Sequence, residues 1–362
     1  MAMTKRIDAI DFWRGLVLLI IFVNHIPGNV LEFVTPRNFG FSDSAEAFVF
    51  LSGLSVVLAY GNRFLSQSAD KASVPVLKRA LRLYVTHLVL TFLGLALVGA
   101  AFLVTHADDL IHDYGRAALI YDPYRALPAI FALSHQIGYF NILPLYVVLM
   151  LAAPLYLMVG MRNRWAMLGG AATLYLVARV FDINLPTWPA DSGWYFDPLC
   201  WQFIFAIGMF IGFTIRAEPV PYSRVLFWMA AVYAVVVAFV VSNVFGTMPG
   251  LVDHVGTYLD WSKTDLGTIR IIDFLAHAYL LAHLSLTAKL KRTPIYAPVT
   301  LLGRNSLFAF CSVSLLSALG QILKQTWQDS VLFDIVFVGA GIYALCWMVN
   351  RLEWQRLSPA SR

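Results

Sequence analysis

Apolar residues fall in ten blocks along the chain, at about residues 10–26, 45–61, 83–104, 139–159, 165–181, 199–215, 223–243, 270–288, 297–321 and 331–350. Several reach the ~20 residues that a helix needs to cross a bilayer core. The pattern predicts an all-α fold: a polytopic membrane bundle of about ten transmembrane helices, forming one domain over residues 1–362. The first two blocks are shorter and carry polar side chains, which gives them a second interest.

Composition strengthens this reading. Hydrophobic residues make up 59% of the chain and charged residues 13%, against about 25% charged in soluble domains. A surface this apolar needs lipid as its solvent. Cys200, Cys311 and Cys346 all lie inside apolar blocks. Their odd number and scatter provide neither a disulfide framework nor a metal spacing, and they read as packing residues. No metal is expected.

The formal charge of +5 would suggest nucleic acid if it were clustered on a soluble face. It instead follows the loops of an alternating topology. With the N-terminus inside, the inner segments collect Lys5, Arg6, Arg63, Lys78, Arg79, Arg82, Lys289, Lys291, Arg292, Arg356 and Arg362, while acids dominate the outer ones. Inner loops carry the basic excess in membrane proteins. Both termini are therefore expected in the cytoplasm of a multi-pass protein of a bacterial inner membrane, with the lipid bilayer as a partner and nucleic acid excluded. The N-terminal stretch reads as the lead-in to a retained first helix, because no small-residue cleavage site follows its apolar run.

Three outer connections are long: Asp108–Gly138, Asp182–Pro198 and Gly246–Thr268. They interleave Tyr114, Tyr121, His135, Trp188, Trp194, Tyr195, His254, Tyr258 and Trp261 with carboxylates. Aromatic faces with carboxylates suit a carbohydrate, which offers C–H faces for stacking and hydroxyls for hydrogen bonding. The alternative is an interfacial Trp/Tyr belt.

The first block reads Asp11-Phe-Trp-Arg14-Gly15 and ends Asn24-His25-Ile-Pro27-Gly28. Arg14 and His25 are eleven apart, three helical turns and about 16 Å, so they share a face. Ionisable groups at such depth line a cavity or meet a partner. Arg14 alternatively snorkels to the inner surface with Asp11 as its neighbour, and His25 alternatively packs within the bundle. Glu46 opens the second block from the side on which His25 is reached. A carboxylate there would orient the imidazole and raise its basicity; alternatively it favours the helix N-terminus. Arg79 and Arg82, three apart, form either a positive-inside anchor or a phosphate clamp. Arg304 would join them from the start of the ninth helix.

Taken in order, Arg14 and His25, Glu46 with Phe50-Leu-Ser-Gly53, and Arg79 with Arg82 resemble the transmembrane acyltransferase superfamily. Asn141-Ile-Leu-Pro-Leu-Tyr146, Trp194-Tyr-Phe-Asp-Pro-Leu-Cys-Trp-Gln202 and Lys263-Thr-Asp-Leu-Gly267 narrow the resemblance to the OpgC family, whose namesake succinylates osmoregulated periplasmic glucans. The resemblance spans nearly the whole chain. It implies transfer of an acyl group from cytosolic acyl-CoA, succinyl-CoA or acetyl-CoA, to a periplasmic glucan or other envelope glycan. It makes His25 the catalytic histidine, Arg14 its motif partner, and Arg79 and Arg82 contacts of CoA phosphates; Arg304 would join that clamp, and Glu46 or another carboxylate would stand behind His25 as general base. The acceptor side is assigned to Trp194, Asp197, Gln202, His135, Lys263 and Asp273. Asp273 and His277, four apart, either line that site or pair with each other. Lys263 or Arg270 would meet a carboxylate at the acyl end.

Two rival functions fit the same buried polar groups. One is a proton-coupled transporter of a small or glycan-derived solute, which the lack of paired broken helices argues against. The other is a receptor or scaffold whose polar groups only lock the packing.

Overall fold

The computed structural model describes residues 8–242, 259–327 and 330–357. Lys5, Arg6, His254, Tyr258 and Arg362 lie outside the described residues. The elements are helices, with no strand among the described residues. They run α1 (Asp8–Asn24), α2 (Ser44–Ser66), α3 (Ala69–Thr105), α4 (Ile142–Arg162), α5 (Arg164–Val180), α6 (Pro198–Ile215), α7 (Arg224–Ser242), α8 (Thr268–His283), α9 (Tyr296–Arg304), α10 (Ser306–Thr326) and α11 (Val331–Leu357). Short helices and turns join them, among them Asp109–His112, Ala117–Tyr121 and Pro123–Phe131 within the connection between α3 and α4. Each of the ten apolar blocks is helical. Among the described residues, seven helices, α2, α3, α4, α6, α7, α10 and α11, are long and apolar enough to cross a membrane. In hydrocarbon a helix is favoured because it satisfies its backbone hydrogen bonds within the segment.

Two elements depart from the sequence pattern. α3 starts at Ala69, well before the apolar block that begins near residue 83, and its 37 residues span about 55 Å. The extension is rich in the helix formers Ala, Leu, Lys and Arg. It also buries a stripe of Ala72, Val76, Ala80 and Leu83, so packing continues below the apolar block. The ninth block is broken at Asn305, whose φ of −105° and ψ of 35° leave the α-helical region. Its side chain replaces the lost regularity: Nδ2 donates to Leu301 O at 3.1 Å and to Glu353 Oε1 at 2.8 Å. Arg356 Nη1 donates to its Oδ1 at 2.7 Å. Arg304 is therefore the end of a short helix, not the start of a long one.

The closest crossings are made by glycines. On α1 and α9, a side chain at Gly15 would collide with the Val299 carbonyl, and one at Gly303 with that of Asp11. On α2 and α6, Gly53 meets the Phe205 carbonyl and Gly208 meets that of Phe50 in the same reciprocal way. Small residues let backbones touch where lipid supplies no hydrophobic drive between helices. Among the described residues α2 and α6 make the most extensive packing interface, followed by α1 with α9 and α3 with α4.

Gly303→Val should force α1 from α9 and cost about 1–3 kcal/mol, the usual range for an overpacked core. A fall in melting temperature in detergent measures it. Gly169→Val, where nothing lies within 4 Å, is the control expected to leave the crossing intact.

Candidate functional site

α1 ends at Asn24, but one more helical bond, His25 N to Ile21 O at 3.0 Å, keeps His25 in register. The chain then turns through Pro27 and Gly28, where φ of +77° suits glycine. Asn29 caps the exposed helix end, its Nδ2 donating to Val23 O at 2.8 Å and Ile26 O at 2.6 Å. From α10, Gln321 Nε2 donates to His25 O at 2.6 Å. Lys324 Nζ, paired with Asp334 at 2.8 Å, donates to Gly28 O at 3.0 Å. The backbone on both sides of His25 is thus fixed by side chains from α10 and α11.

The His25 imidazole lines a cavity of about 580 Å³ at this end of the bundle, a volume in the range of small-molecule sites. Ile21, Ile142 and Phe310 provide apolar wall. Asn24, Arg37, Asp43, Tyr139, Asn141, Tyr195, Lys263 and Arg270 provide the polar part. Nδ1 of His25 is buried without a hydrogen-bond partner. Tyr139, held at φ +68°, sets its ring centroid 4.9 Å from the imidazole. A non-glycine residue in this region is uncommon, and such strain gathers at functional sites.

One wall is a charge cluster. Asp43 and Glu46 form a capping box at the start of α2: Asp43 Oδ1 accepts from Ala45 N at 2.7 Å, and Glu46 Oε2 accepts from Asp43 N at 2.9 Å. Arg270 Nε donates to Glu46 Oε1 at 2.7 Å, and its Nη2 lies 3.4 Å from Asp43 Oδ2. Lys263 pairs with the same Asp43 oxygen. Burial works against ionisation of Asp43, but Lys263, Arg270 and the Ala45 amide outweigh it and hold the carboxyl well below the usual carboxylate range. Burial likewise disfavours the Lys263 ammonium, and Asp43 and Glu46 outweigh it, raising its pKa. Two cations and two anions balance.

This geometry changes several expectations. Glu46 is buried against Arg270 and its own helix start, and no hydrogen bond joins it to His25. Arg14 does not reach the cavity; its Nη2 donates to Ser306 Oγ at 2.6 Å, tying α1 to α10. Among the residues assigned to the acceptor, Lys263 lines the cavity. Trp194 is buried, its backbone bonded to Leu185 and Asn184. Asp197 caps α6 by accepting from Leu199 N at 2.9 Å. Gln202 joins three helices, donating to Ala171 O at 2.8 Å and accepting from Tyr156 OH at 2.5 Å. His135 is buried beside Trp188, whose carbonyl stands 3.0 Å from Nδ1. Asp273 accepts from Ser42 N and Oγ at 2.9 and 2.6 Å, fixing the cavity rim from behind, and His277 pairs with it. These five are placed by packing and local hydrogen bonding, away from the cavity surface. Asp43, Tyr139 and Arg270 take their place.

At the opposite end of the bundle, Arg63, Arg79 and Arg82 lie within electrostatic reach of the Tyr60 hydroxyl. Among the described residues none of the three has an ion-pair partner. Arg304 does not belong to this group, because it pairs with Asp8 at 2.7 Å and Asp11 at 3.8 Å.

A charged, half-enclosed cavity at one end and a basic cluster at the other, set in a bundle of apolar helices, define a polytopic membrane protein with a built polar site. Residues 6–357 match the family described as OpgC protein, and the chain belongs to that family. The family implies a transferase. Neither the curated proteins nor the solved structures contain a match.

Replacing Arg270 with Gln should leave Glu46 buried and uncompensated, a loss of about 3–5 kcal/mol. The double variant Glu46→Gln with Arg270→Met should recover part of that loss. Melting temperatures of the two proteins in the same detergent make the comparison.

Proposed function

We propose that the protein is a membrane O-acyltransferase that moves an acyl group, of the succinyl class, from acyl-CoA in the cytoplasm to a hydroxyl of a periplasmic glucan or related envelope glycan. In this reading both termini face the cytoplasm, about ten helices cross a bacterial inner membrane, and the cavity opens to the periplasm. The observation that carries it is His25: an imidazole with an unpartnered Nδ1 lining a polar cavity in a protein of a transferase family.

A thioester is already activated, so the protein has to deprotonate an alcohol and stabilise the charge that develops. A glucan hydroxyl enters the cavity among Tyr139, Tyr195 and Lys263. His25 accepts its proton as the hydroxyl oxygen attacks the thioester carbonyl carbon. The new C–O bond forms while the carbonyl electron pair moves onto oxygen. The pair returns, the C–S bond breaks, and the imidazolium returns its proton to the departing thiolate. The charge cluster beside His25 stays paired and fixes the wall against which substrate is held. Neutral balance between Lys263, Arg270, Asp43 and Glu46 lets the wall keep its shape in a low-dielectric setting.

Arg63, Arg79 and Arg82 hold the phosphates of the donor at the cytoplasmic mouth. Guanidinium groups match phosphate geometry, and among the described residues no carboxylate pairs with these three.

The test uses purified protein in nanodiscs with succinyl-CoA or acetyl-CoA and periplasmic glucan, following free thiol and glycan mass together. Wild type should release thiol and add a matching mass, and folded His25→Ala should lose at least the ~10²–10⁴-fold expected of a general base. A wild type that binds acyl-CoA but modifies nothing would point away from transfer, and one that binds no acyl-CoA would favour the carrier alternative. Arg79→Ala and Arg82→Ala should each raise KM for the donor by about 10- to 10²-fold, as a lost charged hydrogen bond of about 1.5–3 kcal/mol implies, with kcat little changed. Titrating initial rates against succinyl-CoA separates the two constants.

A further inference from the structure

We infer that Asn24 supplies the hydrogen bond that stabilises the oxyanion of this transfer, with Thr35 as the positioning residue that aims its amide; the inference rests on the acyltransferase reading.

Asn24 and His25 are consecutive and both line the cavity, so a donor on one lies beside the base on the other. The question is which end of the Asn24 amide faces the cavity. Thr35 settles it. Its Oγ1 stands 2.8 Å from Asn24 Oδ1 and 2.7 Å from Glu32 O, and a hydroxyl has one proton to give. The Glu32 carbonyl already accepts from Thr35 N at 3.0 Å and from Asn38 Nδ2 at 2.6 Å. Two donors fill the two lone pairs of a carbonyl oxygen. The hydroxyl proton, which can rotate where the backbone donor cannot, therefore goes to Asn24 Oδ1. Amide orientation follows from such networks. With its oxygen engaged by buried Thr35, Asn24 turns Nδ2 and its two protons toward the cavity, and among the described residues no group accepts from them.

An amide donor held in advance, in a half-enclosed site, suits an oxyanion. Lys263 and Arg270 are poorer candidates despite their charge, because each is committed to Asp43 or Glu46. The Asn24 amide bears no charge to neutralise and no partner to abandon. It interacts most strongly when the thioester oxygen becomes negative. That differential is what accelerates a reaction.

The experiment measures kcat and KM for succinyl-CoA with periplasmic glucan in nanodiscs, for Asn24→Ala, Thr35→Val, Thr35→Ser and His25→Ala, each checked for a monodisperse profile on size exclusion. Asn24→Ala should lose about 10²–10³-fold in kcat, as loss of one oxyanion donor does elsewhere, with KM for succinyl-CoA unchanged. Thr35→Val should move in the same direction, while Thr35→Ser, which keeps the hydroxyl, should retain wild-type kcat. Wild-type kcat in folded Asn24→Ala overturns the inference, and so does equal behaviour of Thr35→Val and Thr35→Ser. Should Asn24→Ala fail to fold, the Thr35 pair decides alone, since neither variant alters Asn24. An inactive His25→Ala beside a fully active Asn24→Ala removes the oxyanion assignment but keeps the acyltransferase reading. A wild type that transfers nothing removes both.

Discussion

Four charges buried together at the start of α2 set the terms for this half of the protein. Asp43 and Glu46 come from one stretch of the chain and Lys263 and Arg270 from another more than 200 residues later, and each would be costly to bury alone. Their mutual neutralisation ties the N-terminus of α2, the segment before α8 and the first turn of α8 into one wall. Because Asp43 and Glu46 also cap α2, each carboxyl group uses one oxygen to start a helix and the other to hold the wall of the cavity. A helix start is a ready place for carboxylates, since the first amides seek acceptors. The cluster uses that local preference to anchor long-range structure.

His25 lines the same cavity, at the point where α1 runs out of helix. The chain leaves its regular path within one turn of the imidazole, which would loosen the backbone if nothing replaced the lost hydrogen bonds. Asn29, Gln321 and the Lys324–Asp334 pair replace them. The irregular backbone that a polar cavity needs is tolerated at membrane depth only when buried in protein, and here it is held from two further helices.

The helical blocks were legible because lipid selects for apolar length, and the Arg14–His25 spacing was legible because a single helix sets it. The start of α3 was hidden, since its buried stripe of Ala72, Val76 and Ala80 lies among lysines and arginines that lower the average hydropathy. The break at Asn305 was hidden for another reason: its partners Glu353 and Arg356 arrive from the C-terminal helix. Glu46 was recognised as an important carboxylate, but its partner Arg270 is 224 residues away, and sequence proximity favoured His25. Trp194, Asp197 and Gln202 belong to a family-like segment, yet they serve packing and capping. A recurring motif records everything a fold needs at that place, scaffold and chemistry alike, and does not separate the two.

The break at Asn305 has a mechanical side. α10 is clamped at its N-cap Asn305 by the last turns of α11, and about 24 Å further along its Gln321 grips the carbonyl of His25. The helix acts as a stiff strut between the C-terminal end of the chain and the floor of the cavity. A load applied at the C-terminus, such as a fused domain or a bound protein that pulls Glu353 from Asn305, would be felt at the imidazole without any contact near it.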